Sequence, residues 1–180
     1  MTFSYEDGQR DSNNVQNNLE EEFNTVCMQI EDAGNKPFDV KFMAKVLPIK
    51  EEQHFIAANK EFAVRMFHKR EENKVTYVVR AGERVQGPPG YVHGGAIATL
   101  LDDCLGSAVF LSGSFAMTAN LNINYRKPIP LNSVRTVEAF LEKQEGRKLY
   151  AKGCIYDKDG SVHAEATGLF VVPRHLAQEK

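Results

Sequence analysis

Residues 94–111 form an apolar stretch long enough for about five turns of helix, and no other segment constrains the fold as strongly. Apolar side chains occupy most of the circumference of this predicted helix, so most of that circumference must be buried. The segments on either side alternate apolar and polar residues or are rich in β-branched ones, which favours strands. An antiparallel sheet that curls around one helix satisfies both requirements. The sequence therefore predicts an α+β domain.

The predicted strands lie on both sides of this helix. Two strand-forming stretches precede it, near 54–67 and 74–86, and four follow it, at 115–125, 133–144, 147–157 and 161–172. The last three are joined by short turns, one containing Asp159-Gly160, which is typical of an antiparallel meander. Strict alternation in the strand at 115–125 places apolar residues on one side and Thr118, Asn120, Asn122 and Asn124 on the other.

The chain divides into an N-terminal segment, residues 1–45, and a domain at 46–175. Residues 1–14 are polar, and we expect them to be disordered. Apolar residues at helical spacing predict an amphipathic helix from about Val15 to Asp32. Its expected role is to pack across the sheet, with a partner-binding arm as the alternative. Residues 35–52 carry two prolines and predict an irregular connection with a short strand or helix.

Composition narrows the class of partner and the compartment. The net charge of −2 gives no general attraction to nucleic acid or anionic membrane. No uninterrupted apolar run reaches about 18 residues, so we expect no stable membrane insertion. Cys27, Cys104 and Cys154 form neither a disulfide framework nor a zinc pattern, so we expect a reducing compartment, no metal and no cofactor. Without a signal-peptide pattern we expect the cytoplasm, or the mitochondrion if a presequence is absent from this chain.

The predicted helix has two unlike faces. Five bulky or apolar residues should pack on the sheet: Ile97, Leu100, Leu101, Cys104 and Ala108. The opposite face is small or polar and comprises Gly95, Ala98, Thr99, Asp102 and Gly106. A buried carboxylate is costly unless it is paired or used, so Asp102 is either a salt-bridged structural group or a catalyst facing a thin gap between subunits. Asp103 lies about 100° away, and we expect it to be solvated or hydrogen-bonded.

A His-Gly-Gly sequence opens the same helix, where backbone N–H groups lack partners. His93, Gly94 and Gly95 can therefore cap the helix, form a tight turn and donate hydrogen bonds to an oxyanion. His93 as a base and the N–H groups as an oxyanion site could therefore lie at one end of one helix, and Asp102 follows nine residues after His93. Such a set suits acyl transfer with a good leaving group such as a thiolate. No Gly-x-Ser-x-Gly motif supports an α/β-hydrolase mechanism.

The pattern from Gly90 to Asp102 resembles the signature of hotdog-fold thioesterases of the phenylacetate-degradation and 4-hydroxybenzoyl-CoA thioesterase type. The longer pattern, continuing through 117–125 and Arg126-Lys127-Pro128-Ile129-Pro130, is similar to the eukaryotic acyl-CoA thioesterase superfamily members 4 and 5. The similarity covers about residues 80–173 well and 45–80 loosely. It implies an antiparallel sheet wrapped around a long central helix, hydrolysis of medium- or long-chain fatty acyl-CoA, and a homodimer or dimer of dimers.

The resemblance also implies roles for single residues. Asp102 matches the general base or nucleophile, and Gly94 or Gly95 supplies the backbone N–H that polarises the thioester carbonyl. Thr118 would orient the attacking water from the partner subunit. His93 would shape the site and hydrogen-bond the thioester or the loop. Whether Gln86 fills the place of a polar amide that some relatives carry before the motif is open.

Coenzyme A brings phosphates, for which four basic residues near strand ends are candidate partners: Arg126, Lys127, Arg147 and Lys148. Asn120 is a further candidate contact to the substrate. Ordinary solvated surface charge is the alternative for each basic residue.

Two other functions compete with a thioesterase. A non-catalytic acyl-CoA or lipid-binding module on the same scaffold would have no need for Asp102 and Thr118, so their presence favours the enzyme. A hydratase would need an aspartate and a histidine a few residues apart. The next histidine after Asp102 is His163, which makes a hydratase the weaker interpretation.

Overall fold

The computed structural model describes residues 5–39 and 54–176. Its α-helices are α1 (Tyr5–Asp32), α2 (Phe55–Ala58) and α3 (Gly94–Leu111). Its strands are β1 (Lys36–Phe38), β2 (Phe62–Lys69), β3 (Lys74–Ala81), β4 (Met117–Tyr125), β5 (Val134–Glu145), β6 (Lys148–Tyr156) and β7 (Val162–Val171). The predicted helix at 94–111 is confirmed as α3, and the predicted strands after it are confirmed within two residues at each end.

All seven strands form one antiparallel sheet in the order β1-β2-β3-β5-β6-β7-β4. The sheet curls around α3, which packs against β3, β4, β5, β6 and β7. The predicted α+β architecture, a sheet around a central helix, is confirmed. β4 follows α3 in sequence but lies at one edge of the sheet, and its only strand partner within residues 5–39 and 54–176 is β7.

The two faces of α3 have the predicted environments. The five residues of the bulky face are each at most 4% exposed and belong to the main core. The small face is half-buried or exposed. By length and composition α3 could cross a membrane, although two aspartates interrupt its apolar sequence. Because its bulky face packs inside the sheet, α3 serves here as the core helix of the domain.

The N-terminal helix covers the outer face of the sheet. Phe23 and Cys27 of α1 are buried against Phe67, Val78 and Val134, which confirms the packing expected of its apolar face. The helix begins at Tyr5 rather than near Val15, so it is ten residues longer at its start than the spacing of apolar residues predicted. A helix can extend through a polar sequence because its backbone hydrogen bonds are internal.

The region before β2 differs most from the prediction. A strand was expected over 54–67, but residues 55–58 form the short helix α2 and β2 begins only at Phe62. A turn at Asn59 separates the two, since its side-chain oxygen accepts from the Glu61 N–H at 3.0 Å and its carbonyl from the Phe62 N–H at 3.1 Å. Of the short strand or helix expected within 35–52, the structure has the strand β1, and residues 40–53 lie outside the described part of the chain.

A β-bulge in β4 changes which residues face α3. Thr118 pairs with Phe170 and Asn120 with the adjacent Leu169, so Ala119 is the extra residue. A bulge shifts the alternation by one position. Thr118 therefore shares the helix-facing side with Leu121 and Ile123, and not the side of Asn120 where strict alternation had placed it.

Candidate active site

Asp102 and Thr118 form a hydrogen-bonded pair on the small face of α3. The Thr118 hydroxyl donates to Asp102 Oδ1 at 2.9 Å. Asp102 is half-buried, and no basic side chain pairs with it among the described residues. The salt-bridged structural role is therefore not the one observed. Thr118 contacts Asp102 of its own chain. This contact differs from the expected arrangement, in which Thr118 orients the attacking water from a partner subunit.

The first turn of α3 supplies the predicted N–H donors, but they are not equivalent. His93 is the N-cap residue, and its Nδ1 accepts a hydrogen bond from the Gly95 N–H at 2.9 Å. The Gly94 N–H donates to no acceptor in residues 5–39 and 54–176. Of the two glycines, Gly94 therefore offers the free donor, while the Gly95 donor is occupied by the helix cap.

Asp102 and Gly94 are too far apart to act together within one chain. They are eight residues apart on α3, which corresponds to about 12 Å along the helix axis. One carbonyl group cannot be within hydrogen-bond distance of both. Asp102 therefore does not lie at the end of the helix that carries His93 and the N–H donors.

Asp103 belongs to a separate buried network. Tyr77 donates to Asp103 Oδ2 at 2.8 Å and lies 2.7 Å from Ser107 Oγ, and His54 Nε2 lies 3.4 Å from Asp103 Oδ1. Burial raises the pKa of the Asp103 carboxyl, and the charge on Asp102 adds to this increase, while His54 and Tyr77 oppose it. The expected hydrogen-bonded structural role of Asp103 is confirmed.

The candidate substrate contacts lie in three places. Asn120 is on the outer face of the sheet, so the structure does not bring it to Asp102.

The four basic residues lie in two pairs. Arg126 and Lys127 follow β4 near the start of α3, and Arg126 is paired with Glu165. Arg147 and Lys148 lie at the β5–β6 turn, where Arg147 donates to the Val172 carbonyl at 2.9 Å. One chain thus holds its two basic pairs at opposite ends of β7, about 30 Å apart.

The loop before α3 is closed by its own side chain. Gln86 Oε1 accepts from the Gly90 N–H at 2.9 Å, so the amide carbonyl of Gln86 stabilises the loop. Within the described ranges, no group of three or more His, Cys, Asp or Glu residues is placed to hold a metal ion.

Sequence reasoning missed two tyrosines beside these groups. Tyr125 donates to the Gly94 carbonyl at 3.0 Å, and Tyr77 is fully buried against Asp103. Alternation places Tyr125 on the helix-facing side with Leu121 and Ile123, but its contact with Gly94 joins segments 31 residues apart. The contact of Tyr77 with α3 joins distant parts of the sequence and left no local signal.

Comparisons with known proteins agree with this architecture. Residues 89–164 match the family model of the Thioesterase superfamily. Acyl-coenzyme A thioesterase THEM4 of Rattus norvegicus is 46% identical over 111 residues, covering 61% of this chain and 48% of the relative. Acyl-coenzyme A thioesterase THEM5 of Homo sapiens is 31% identical over 107 residues, covering 59% and 43%. The chain thus spans about half the length of these curated relatives.

A solved structure supports the fold independently. The crystal structure of protein RHA08564, a thioesterase superfamily protein, is 39% identical with a TM-score of 0.58, and the match covers 60% of this chain and 53% of that one. The hotdog fold and the resemblance to hotdog-fold thioesterases are confirmed by these matches.

Proposed function

We propose that this chain, whose residues 89–164 match the thioesterase superfamily, is an acyl-CoA thioesterase that acts on medium- or long-chain fatty acyl-CoA. The observation that carries the proposal is the Asp102–Thr118 pair on the small face of α3, together with a free N–H at Gly94. The names of the THEM4 and THEM5 relatives support acyl-CoA as the substrate class. A binding module without catalysis has no use for a carboxylate and hydroxyl arranged in this way.

The chemistry proceeds by addition and elimination. A water held by Asp102 and Thr118 adds to the thioester carbonyl carbon while the Asp102 carboxylate takes its proton. The Gly94 N–H donates to the oxyanion that forms, a contact worth about 3–4 kcal/mol of barrier. The carbon–sulfur bond then breaks, the coenzyme A thiolate leaves and is protonated, and the fatty acid is released. In the nucleophilic variant, Asp102 attacks directly and water hydrolyses the resulting anhydride.

The proposed enzyme is at least a homodimer. Because Asp102 and Gly94 of one chain are about 12 Å apart, a working site combines Asp102 of one chain with Gly94 of another. In the part of the chain that the structure describes, the outer edge of β4 is unpaired, so it can pair with a second copy. Phe115, Met117 and Tyr125 beside that edge are 37–56% exposed, which supplies apolar surface for the contact. A dimer of dimers extends the same arrangement.

A two-fold axis at β4 also unites the basic residues. Two antiparallel β4 strands place the Tyr125 end of one beside the Met117 end of the other. Arg126 and Lys127 of one subunit then lie toward the same end as Arg147 and Lys148 of the second. This arrangement supports their proposed contact with the phosphates of coenzyme A.

The first test measures hydrolysis over a series of chain lengths from acetyl- to stearoyl-CoA. We expect turnover by the wild type and a loss of at least a hundredfold in kcat for Asp102→Asn, because an amide cannot take the proton. Asp103→Asn is the matched control, since it changes the neighbouring carboxylate of the same helix and should retain activity. Binding of acyl-CoA without turnover at any chain length would favour the non-catalytic module, and full activity of Asp102→Asn would remove Asp102 from the mechanism.

The second test removes the oxyanion donor. Gly94 is the first residue of α3, a position that tolerates proline, and His93 before it has the extended φ of −64° and ψ of 138° that a following proline prefers. Gly94→Pro therefore deletes the N–H while preserving the helix. We expect kcat to fall about a hundred- to a thousandfold with an unchanged melting temperature. Unchanged kcat would show that the Gly94 N–H is not the oxyanion donor.

A further inference from the structure

Three groups at the start of α3 form a continuous hydrogen-bonded chain. The Tyr125 hydroxyl donates to the Gly94 carbonyl at 3.0 Å, and the Gly95 N–H donates to His93 Nδ1 at 2.9 Å. The Gly94 carbonyl and the Gly95 N–H are the two ends of one peptide group. The tyrosine hydroxyl is therefore connected to the imidazole through a single peptide bond.

The hydrogen bonds all run in one direction, which determines where the imidazole proton lies. Nδ1 of His93 accepts, so it carries no proton in this arrangement, and the neutral ring holds its proton on Nε2. A donor on the carbonyl of a peptide group strengthens the N–H of the same group as a donor. Tyr125 thus reinforces the bond that selects this tautomer of His93.

Two glycines lie so close to His93 that a side chain at either position would contact it. A Cβ at Gly95 would lie 3.0 Å from His93 Nδ1, and a Cβ at Gly87 would lie 2.9 Å from His93 Cα and 3.2 Å from Cδ2. The backbone N–H of His93 also donates to the Val85 carbonyl at 2.8 Å. In the described residues, no group contacts Nε2 through a hydrogen bond, and His93 is exposed. The Nε2 proton is therefore available to a ligand.

Tyr125 is itself firmly placed. It pairs with Ala164 at the end of β4, and the next two N–H groups, of Arg126 and Lys127, donate to the His163 carbonyl at 2.8 and 3.0 Å. A Cβ at Gly94 would lie 3.7 Å from three atoms of the tyrosine ring and hydroxyl, so the side chain lies directly against the glycine. The pairing of β4 therefore fixes the position of Tyr125, whose hydroxyl is the first donor of the hydrogen-bonded series.

We propose that Tyr125 is a positioning residue that holds His93 in the tautomer with its proton on Nε2, so that this N–H donates to the carbonyl oxygen of the bound thioester beside the Gly94 N–H. The contact with the thioester rests on the proposed function. The tautomer of His93 is a property of the chain alone and can be measured without substrate.

The test compares the wild type with Tyr125→Phe, which keeps the ring and removes the hydroxyl. Tyr91→Phe is the matched control, because Tyr91 is a nearby tyrosine, 40% exposed, whose hydroxyl makes no hydrogen bond in the described structure. Nitrogen NMR of the histidine rings at neutral pH, with the His93 signals assigned from a His93→Gln variant, reports the tautomer. Steady-state kinetics with an acyl-CoA report kcat and KM separately, and thermal unfolding reports the fold.

We expect one His93 tautomer, protonated on Nε2, in the wild type and in Tyr91→Phe, and a mixture of both tautomers in Tyr125→Phe. We also expect kcat of Tyr125→Phe to fall about fivefold, as for the loss of one hydrogen bond, with KM and melting temperature unchanged. A wild-type proton on Nδ1, or a Tyr125→Phe spectrum identical to that of the wild type, would overturn the proposal. If the chain hydrolyses no acyl-CoA, the proposed function fails while the spectra still decide the role of Tyr125.

Discussion

At the scale of single residues, two adjacent carboxylates on α3 have different environments. Asp102 is turned to the small face, where the hydroxyl of Thr118 is its partner. Asp103 is turned to the sheet, where Tyr77 and His54 contact it. A step of 100° along the helix separates a half-buried carboxylate on the small face from one that joins the helix to Tyr77 of the sheet. The same residue type at consecutive positions thus has two different sets of partners.

The raised pKa of Asp103 predicts how stability depends on pH. Burial raises this pKa above the ordinary value of 3.8, so the folded chain holds the proton more tightly than the unfolded chain. The stabilisation from this group is complete below the unfolded pKa and is lost as the pH rises through the folded pKa. We therefore expect the free energy of unfolding of the wild type to fall relative to Asp103→Asn as the pH rises from about 4 toward neutral.

Urea unfolding of both proteins across this pH range measures the difference directly, because the other titrating groups are common to both. The asparagine retains an oxygen that accepts from Tyr77, so the variant should fold. Asp103→Ala removes the carboxylate acceptor of the buried Tyr77 hydroxyl at 2.8 Å and leaves it with Ser107 and the residue-103 backbone carbonyl at 3.4 Å, so it should be less stable than Asp103→Asn by about 1–3 kcal/mol. A pH-independent difference between wild type and Asp103→Asn would contradict the raised pKa.

At the scale of elements, the periodicity of apolar residues predicted the helix α3, which depends on one segment. It did not predict the bulge in β4, which depends on how two strands pair. The bounds and both faces of α3 follow from a repeat within 18 residues, so the sequence predicted them. The bulge at Ala119 is a property of how β4 pairs with β7, and nothing within β4 indicates it. The resemblance nevertheless selected Thr118, although strict alternation would have turned it away from Asp102.

The packing of α1 on the sheet gives a prediction at the same scale. Phe23 is 4% exposed among Phe67, Val78 and Val134, and the Arg65 guanidinium lies 5.9 Å from its ring centroid. Phe23→Ala should lower the free energy of unfolding by about 3–5 kcal/mol, because it leaves a cavity under the helix. Met28→Ala is the control on the same helix, since Met28 is 58% exposed and should change stability by less than about 0.5 kcal/mol. Equal effects in chemical denaturation would show that α1 does not contribute to the folded domain.

At the scale of the whole molecule, the separation of Asp102 from the Gly94 N–H along α3 suits a site that is shared between two chains. Asp102, with Thr118 of β4 as its partner, lies in the middle of the helix, and the free Gly94 N–H lies at its start. The open edge of β4 and the opposite placement of the two basic pairs are consistent with one two-fold axis. Sequence reasoning could identify each group and, from the predicted helix, the distance between Asp102 and Gly94, but the position of β4 at the edge of the sheet depends on long-range strand pairing.

A complementation experiment tests this arrangement. Asp102→Asn and Gly94→Pro should each be inactive alone, because every site of either homodimer lacks one of its two groups. In a mixed dimer, one site combines the intact Gly94 of one subunit with the intact Asp102 of the other, and the second site lacks both. Random mixing of equal amounts makes half of the dimers mixed, so we expect about a quarter of wild-type activity to return. Co-expression with two affinity tags isolates the mixed dimer, and Asp102→Asn paired with itself under two tags is the control. An inactive mixed dimer with a dimeric mass would show that both groups act within one chain or that one of them takes no part.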